Sequence, residues 1–152
     1  MMPLQAEPYI LHDNRGKMQS LGVLVSVLAN TKQTNGAFNL FDAVCPIGYE
    51  TQLHIHYSED VAIYVLEGTL DIFWGDEIKQ AKVGSYFFQP RGIPHGFRVM
   101  GKTPARILYM TFPAGIDKFV IERSKPTADF GSKLSAAHFR IEVLGSLPER
   151  RK

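Results

Sequence analysis

Cysteine is almost absent from these 152 residues: Cys45 stands alone. A lone thiol excludes an internal disulfide framework and any multi-cysteine zinc site, and Cys45 reads as a buried thiol rather than a nucleophile. An excess of one charge sign is also lacking. Seventeen Lys and Arg stand against fifteen acids, a net charge of +2, and the basic residues are scattered. That leaves no electrostatic footprint for nucleic acid, and Glu149-Arg150-Arg151-Lys152 reads as a solvated tail. No apolar run approaches the ~18 residues of a membrane span. One stretch, Leu21 to Ala29 after Arg15 and Lys17, has the look of a secretory leader. It starts late and is rich in valine, so it reads as a buried strand, and the expected location is cytoplasmic. Repeats and low-complexity tracts are missing as well. The remaining composition, 45% hydrophobic and 21% charged, is that of an ordinary globular chain. The length suits one domain, 1–152, with a barrel core at about 20–112 and a C-terminal helical extension at about 113–152.

What is present is a series of short β-type runs separated by Gly, Pro, Asn and Asp turns. Phe38 to Val44, Val61 to Leu66, Thr69 to Trp74, Glu77 to Val83, Tyr86 to Gln89, Phe97 to Met100 and Arg106 to Phe112 all read as strands. Gly75-Asp76 reads as a tight hairpin turn. Regular spacing without intervening helices predicts an all-β sandwich or barrel. After Pro113 the period changes. Ile116, Phe119, Val120 and Arg123 fall at helical spacing, a second short helix is predicted around Ser132 to His138, and Phe139, Ile141 and Val143 alternate as an edge segment.

Chemistry concentrates in the histidines. His54 and His56 lie two apart in Thr51-Gln52-Leu53-His54-Ile55-His56, which on a strand puts both imidazoles on one face. Such a pair can hold a metal at ~2.0–2.1 Å through ring nitrogens, or can simply be surface or packing residues. Gly48 precedes the pair. Tyr64-Val65-Leu66-Glu67-Gly68 follows it, and downstream come Gly84 and Pro90-Arg91-Gly92-Ile93-Pro94-His95. With these two blocks the chain resembles the cupin superfamily, as a small single-domain member similar to quercetin dioxygenase-like bacterial proteins. Pro113-Ala114-Gly115 and Ile141-Glu142-Val143-Leu144-Gly145 carry the likeness toward the C-terminus.

The resemblance implies a double-stranded β-helix, the cupin jelly roll, with a divalent ion (Fe, Mn, Ni or Zn) inside its mouth. By position its ligands are His54, His56 and His95, and the glutamate that usually completes the set is replaced by Val61. The usual asparagine after the last histidine is Val99 here. Glu59 and Asp60 sit in the loop nearby and are expected to be solvated, with Asp60 turned away from His54 by strand alternation. Three neutral imidazoles leave the ion its full charge, which favours a substrate chelating through two oxygens, such as a diketone or hydroxy-ketone.

Without the glutamate, the proton would have to go to Glu50, Asp60 or Tyr64, or be released by the ion's own Lewis acidity. Phe38, Phe88, Phe97 and Tyr109 are candidate substrate-binding residues, with ordinary barrel core as the plainer reading. Arg91 and Arg98 flank His95 and read either as carboxylate holders or as a loop arginine and an outward strand residue. The expected function is therefore dioxygenase-like, the alternative being a non-catalytic binding or sensing cupin with weak metal affinity. A homodimer is expected, with Tyr9 to Leu11 pairing between subunits.

Overall fold

A computed structural model describes residues 5–13, 16–125 and 133–149. Two antiparallel sheets face one another as a jelly roll. The first contains β1 (Met18–Ser20), β2 (Val23–Ala29), β3 (Asn39–Cys45), β5 (Asp60–Glu67), β8 (Tyr86–Gln89) and β10 (Ala105–Phe112), in the order β1-β2-β3-β10-β5-β8. The second contains β4 (Leu53–His56), β6 (Thr69–Trp74), β7 (Glu77–Ala81), β9 (His95–Met100) and β11 (Ile141–Gly145), in the order β11-β4-β9-β6-β7. Two short helices, α1 (Ile116–Glu122) and α2 (Lys133–His138), stand between β10 and β11.

Apolar alternation explains the pairing of faces. Val61, Ile63 and Val65 of β5 point inward with Phe41, Ile72, Val99 and Ile107, all buried in one cluster. β7 closes one edge with Glu77, Lys79 and Gln80 exposed, a polar rim that discourages edge-to-edge pairing. The turn between β5 and β6 requires glycine. Gly68 has φ +81°, and a Cβ there would lie 2.7 Å from the Pro104 carbonyl oxygen and 2.8 Å from Ala105 Cα.

The predicted strands and both helices are present, with shifts at their ends. The Val-rich stretch near residue 25 is a strand as expected, but it begins at Val23. Leu21 and Gly22 form a turn with positive φ, leaving β1 as a separate strand that periodicity did not reveal. The final segment, β11, is an edge strand paired to β4, Ile141 against His56 and Val143 against His54. The terminal region thus sits beside the histidines. Tyr9, Ile10 and Leu11 are exposed and form no strand, and the Tyr9 hydroxyl donates to the Leu28 carbonyl at 2.7 Å. Among the described residues, no helix is long and apolar enough to cross a membrane.

A polar clamp fixes α1 to the barrel. Asn39 of β3, fully buried, accepts hydrogen bonds through Oδ1 from the backbone N–H groups of Gly115 (2.9 Å) and Asp117 (3.1 Å). Those groups at the helix start would otherwise go unpaired. The Asp117 carboxylate accepts from Thr31, backbone at 2.8 Å and hydroxyl at 2.7 Å. The Ser20 hydroxyl donates to the Val120 carbonyl at 2.6 Å. The helix is held at its start and along its length.

Candidate metal centre

β4 places His54 and His56 on the face opposite Leu53 and Ile55, and their rings lie 4.9 Å apart. β9 opens with His95, directly across from His54 in register. Its ring stands 4.4 Å from that of His54 and 5.2 Å from that of His56. One ring nitrogen from each histidine lies within 4.8 Å of the other two, close enough to hold a metal ion.

Protonation follows from the hydrogen bonds. His54 Nδ1 meets the Gln52 carbonyl at 2.6 Å, and His95 Nδ1 meets the Ile93 carbonyl at 3.0 Å. A carbonyl only accepts, so both Nδ1 atoms carry the proton and both Nε2 atoms keep a lone pair. His56 Nδ1 donates to Glu59 Oε1 at 2.5 Å, with the same result. His56 Nε2 and His95 Nε2 are buried and have no hydrogen-bond partner. Burying unpaired acceptors is costly, and two of them aimed at one point fit a cation. Burial pushes His95 down to about 4, against the raising effect of the Ile93 carbonyl and with a further push from His56. Burial also holds His54 well below the ordinary histidine range, reinforced by His95 and His56. Neutral imidazoles at neutral pH are the ligand form.

Glu59 corrects the expectation of a solvated loop. It is 5% exposed, and its carboxylate orients His56 from behind. Nothing in the sequence pattern announced this, because the side chain is turned inward by the short bend between β4 and β5. The only available signal was its position three residues after a candidate ligand. Carboxylate–histidine pairs of this kind fix the tautomer and raise the basicity of a ligating nitrogen. Val61, where a glutamate ligand is usual, is 1% exposed and lines a 40 Å³ chamber together with His54 and His95.

The other candidates separate into those at the site and those away from it. Phe97 and Tyr109 line the main cavity, about 530 Å³, together with His54 and His56. Tyr64 does not: it is 42% exposed on the outer face of β5, opposite in parity to Val61, Ile63 and Val65. Phe88 likewise faces outward, and inward-facing Phe87 packs on Trp74 at 5.1 Å. Phe38 precedes β3 and packs on Phe112 at 6.3 Å, while Phe41 takes the cavity position. Glu50 reaches the cavity rim but is paired to Arg98 at 2.6 Å. Asp60 turns away from the histidines, as alternation predicts, and pairs with Arg91, Nε to Oδ1 at 3.1 Å. Both arginines are therefore committed to carboxylates of this chain. Cys45 is buried in the cavity wall and burial raises its thiol to about 12, an inert lining group.

The fold is that of solved cupin structures, and residues 43–111 match the model of the cupin domain. The chain is 32% identical over 75 residues to an uncharacterised protein of Methanocaldococcus jannaschii, covering 49% of this chain and 60% of that one. It is 28% identical over 109 residues to quercetin 2,3-dioxygenase of Bacillus subtilis, covering 71% of this chain and 32% of the dioxygenase. The chain thus spans less than two thirds of the length of either relative. Among solved structures, an RmlC-like cupin from Shewanella frigidimarina superimposes with TM-score 0.63 at 22% identity, over 77% of this chain and 99% of that one.

Proposed function

We propose that the protein is a metal-dependent, dioxygenase-like enzyme acting on a small molecule that chelates the ion through two oxygens. The observation that carries this reading is the set of three histidines whose Nδ1 atoms are committed to acceptors, leaving their Nε2 atoms free for one ion. His54, His56 and His95 would hold it, and the ion would supply Lewis acidity and, if redox-active, a route to dioxygen chemistry. The residues around it set the substrate. Each nearby carboxylate already has a partner: Glu50 has Arg98, Asp60 has Arg91 and Glu59 has His56. None is free to take a hydroxyl proton as a general base. Burial raises the Tyr109 phenol, so it keeps its proton and serves as a donor. Ionisation must then come from chelation to the ion itself, and the substrate taken for the test is a 1,3-diketone rather than a flavonol.

The test is elemental analysis of protein purified without nickel resin, followed by oxygen-electrode assays on the loaded protein. Expected are near-stoichiometric metal in the wild type, its loss in His54→Ala, oxygen uptake with a 1,3-diketone, and weak or absent quercetin cleavage. Robust quercetin turnover refutes the substrate preference. Tight metal binding without oxygen uptake on any chelating substrate would leave a binding or sensing cupin. We also infer a homodimer that engages the exposed arm Tyr9–Leu11, and a monomer at micromolar concentration by light scattering removes that part.

A further inference from the structure

The cavity is larger than the metal centre needs. Its 530 Å³ falls within the range that encloses a whole drug-sized molecule, ~300–1,000 Å³. Part of its wall lies outside residues 43–111. Val23 and Val25 come from β2, Phe119 and Val120 from α1, Ala136 from α2 and Val143 from β11. The clamp of Asn39, Thr31 and Asp117 makes the α1 portion a fixed wall.

Charge is what this lining lacks. Among the described residues, no lysine or arginine lines the cavity, and its one carboxylate (Glu50) is already paired. A ligand carrying several charges, such as a sugar phosphate or a tricarboxylate, would leave water with nothing to replace it. One negative charge can be met at the histidine end and no second one elsewhere. Apart from Ser20, Thr51 and Gln52, which are also uncharged, the polar exceptions are the phenols of Tyr49 and Tyr109. They can each donate one bond to a neutral oxygen.

We propose that the terminal elements β2, α1, α2 and β11 form a selectivity chamber for the apolar body of the ligand. The ligand class is a singly ionising chelating head joined to an aromatic or aliphatic body that carries no charge. The head is taken from the function proposed above, whereas the chamber rests on the cavity alone. Val120 and Ala136 are its specificity-determining positions: larger side chains there shorten the body that fits without touching the histidines.

The experiment titrates metal-loaded protein with acetylacetone, the head alone, with dibenzoylmethane, the head with two rings, and with citrate. Metal-free protein is titrated with the uncharged fluorophore N-phenyl-1-naphthylamine. Dibenzoylmethane is expected to bind at least about tenfold tighter than acetylacetone, a difference of about 1.4 kcal/mol, and citrate is expected to bind weakest. Val120→Trp should erase most of that preference and most fluorophore binding, with metal content and acetylacetone binding unchanged. Ala136→Leu is the milder filling variant should Val120→Trp fail to fold. Dibenzoylmethane affinity untouched by a folded filling variant, or citrate binding as tightly as dibenzoylmethane, overturns the chamber. If the wild type takes no metal, the proposed enzyme falls, and the fluorophore titrations still decide the chamber.

Discussion

The two sides of the cavity are built on opposite principles. On the β4–β9 side, polar atoms are buried and held in place by specific acceptors: Gln52 and Ile93 carbonyls and the Glu59 carboxylate each accept a hydrogen bond from one imidazole Nδ1–H. On the side made by β2, α1 and α2, burial is apolar, and the polar bonds are spent behind the surface, where Asn39 and Asp117 tie the helix down. One wall fixes the direction of a few lone pairs; the other fixes shape. A ligand that satisfies both must be chemically lopsided, with its oxygens at one end.

Position 61 tests the contrast most severely, because it is an apolar residue set among the histidines. Val61→Glu buries a carboxylate beside His54 and His95. In metal-free protein, an uncompensated buried charge costs ~3–5 kcal/mol, which for a domain of this size lowers Tm by roughly 10 °C. A divalent ion should restore most of that loss and raise the Tm of the variant more than that of the wild type. Thermal unfolding with EDTA and then with Mn(II) measures both. A variant as stable as wild type in EDTA, or indifferent to metal, would place position 61 outside the centre.

The polar wall also has a pH signature that the apolar wall lacks. His95 stays neutral in the metal-free fold down to about 4, whereas unfolded histidine takes a proton near 6.5. Between those values the unfolded state binds more protons, so stability falls as pH falls. A gap of about 2.5 units corresponds to about 3 kcal/mol lost by the lower end. The groups facing His95 are His54 and His56, and His54, lowered in the same direction, adds to the loss. Asp60 acts below this window, since Arg91 holds its carboxyl under the usual range. Urea unfolding in EDTA from pH 7 to 4.5 reads the slope, and a flat profile contradicts the burial of these rings.

The same contrast explains what could be read from the sequence. His95 was legible only through the resemblance to cupins carried by Pro90-Arg91-Gly92-Ile93-Pro94-His95, whereas His54 and His56 were legible because alternation on a strand is local. The β-rich architecture was legible for the same reason. Phe88 was not, because Tyr86-Phe87-Phe88 offers three adjacent aromatics and a one-residue register choice decides which face inward. Tyr64 could have been placed correctly, since an inward Val61 already requires an outward residue three positions on. The terminal wall was out of reach: helical spacing predicts α1, but where it docks depends on Asn39, 78 positions from Asp117 along the chain.

Glu59 gives the smallest and most discriminating effect, because it tests whether the polar wall works by charge or by direction. Its carboxylate lies behind His56 rather than beside the other two histidines, so removing it leaves all three ligands in the chain. Outer-shell partners of metal-bound histidines typically contribute ~10–100-fold in affinity, so Glu59→Ala should weaken Zn(II) binding by about that factor. Glu59→Gln keeps an oxygen that can accept from Nδ1 but removes the negative charge. If direction dominates, Gln recovers most of the affinity; if charge dominates, Gln resembles Ala. Competition with a chromophoric chelator measures both variants, and affinity equal to wild type in Glu59→Ala would show that the buried bond serves the fold alone. The distinction reaches back to Val61: a charge effect would mean that the carboxylate missing from beside the ion still acts on it, through one imidazole ring.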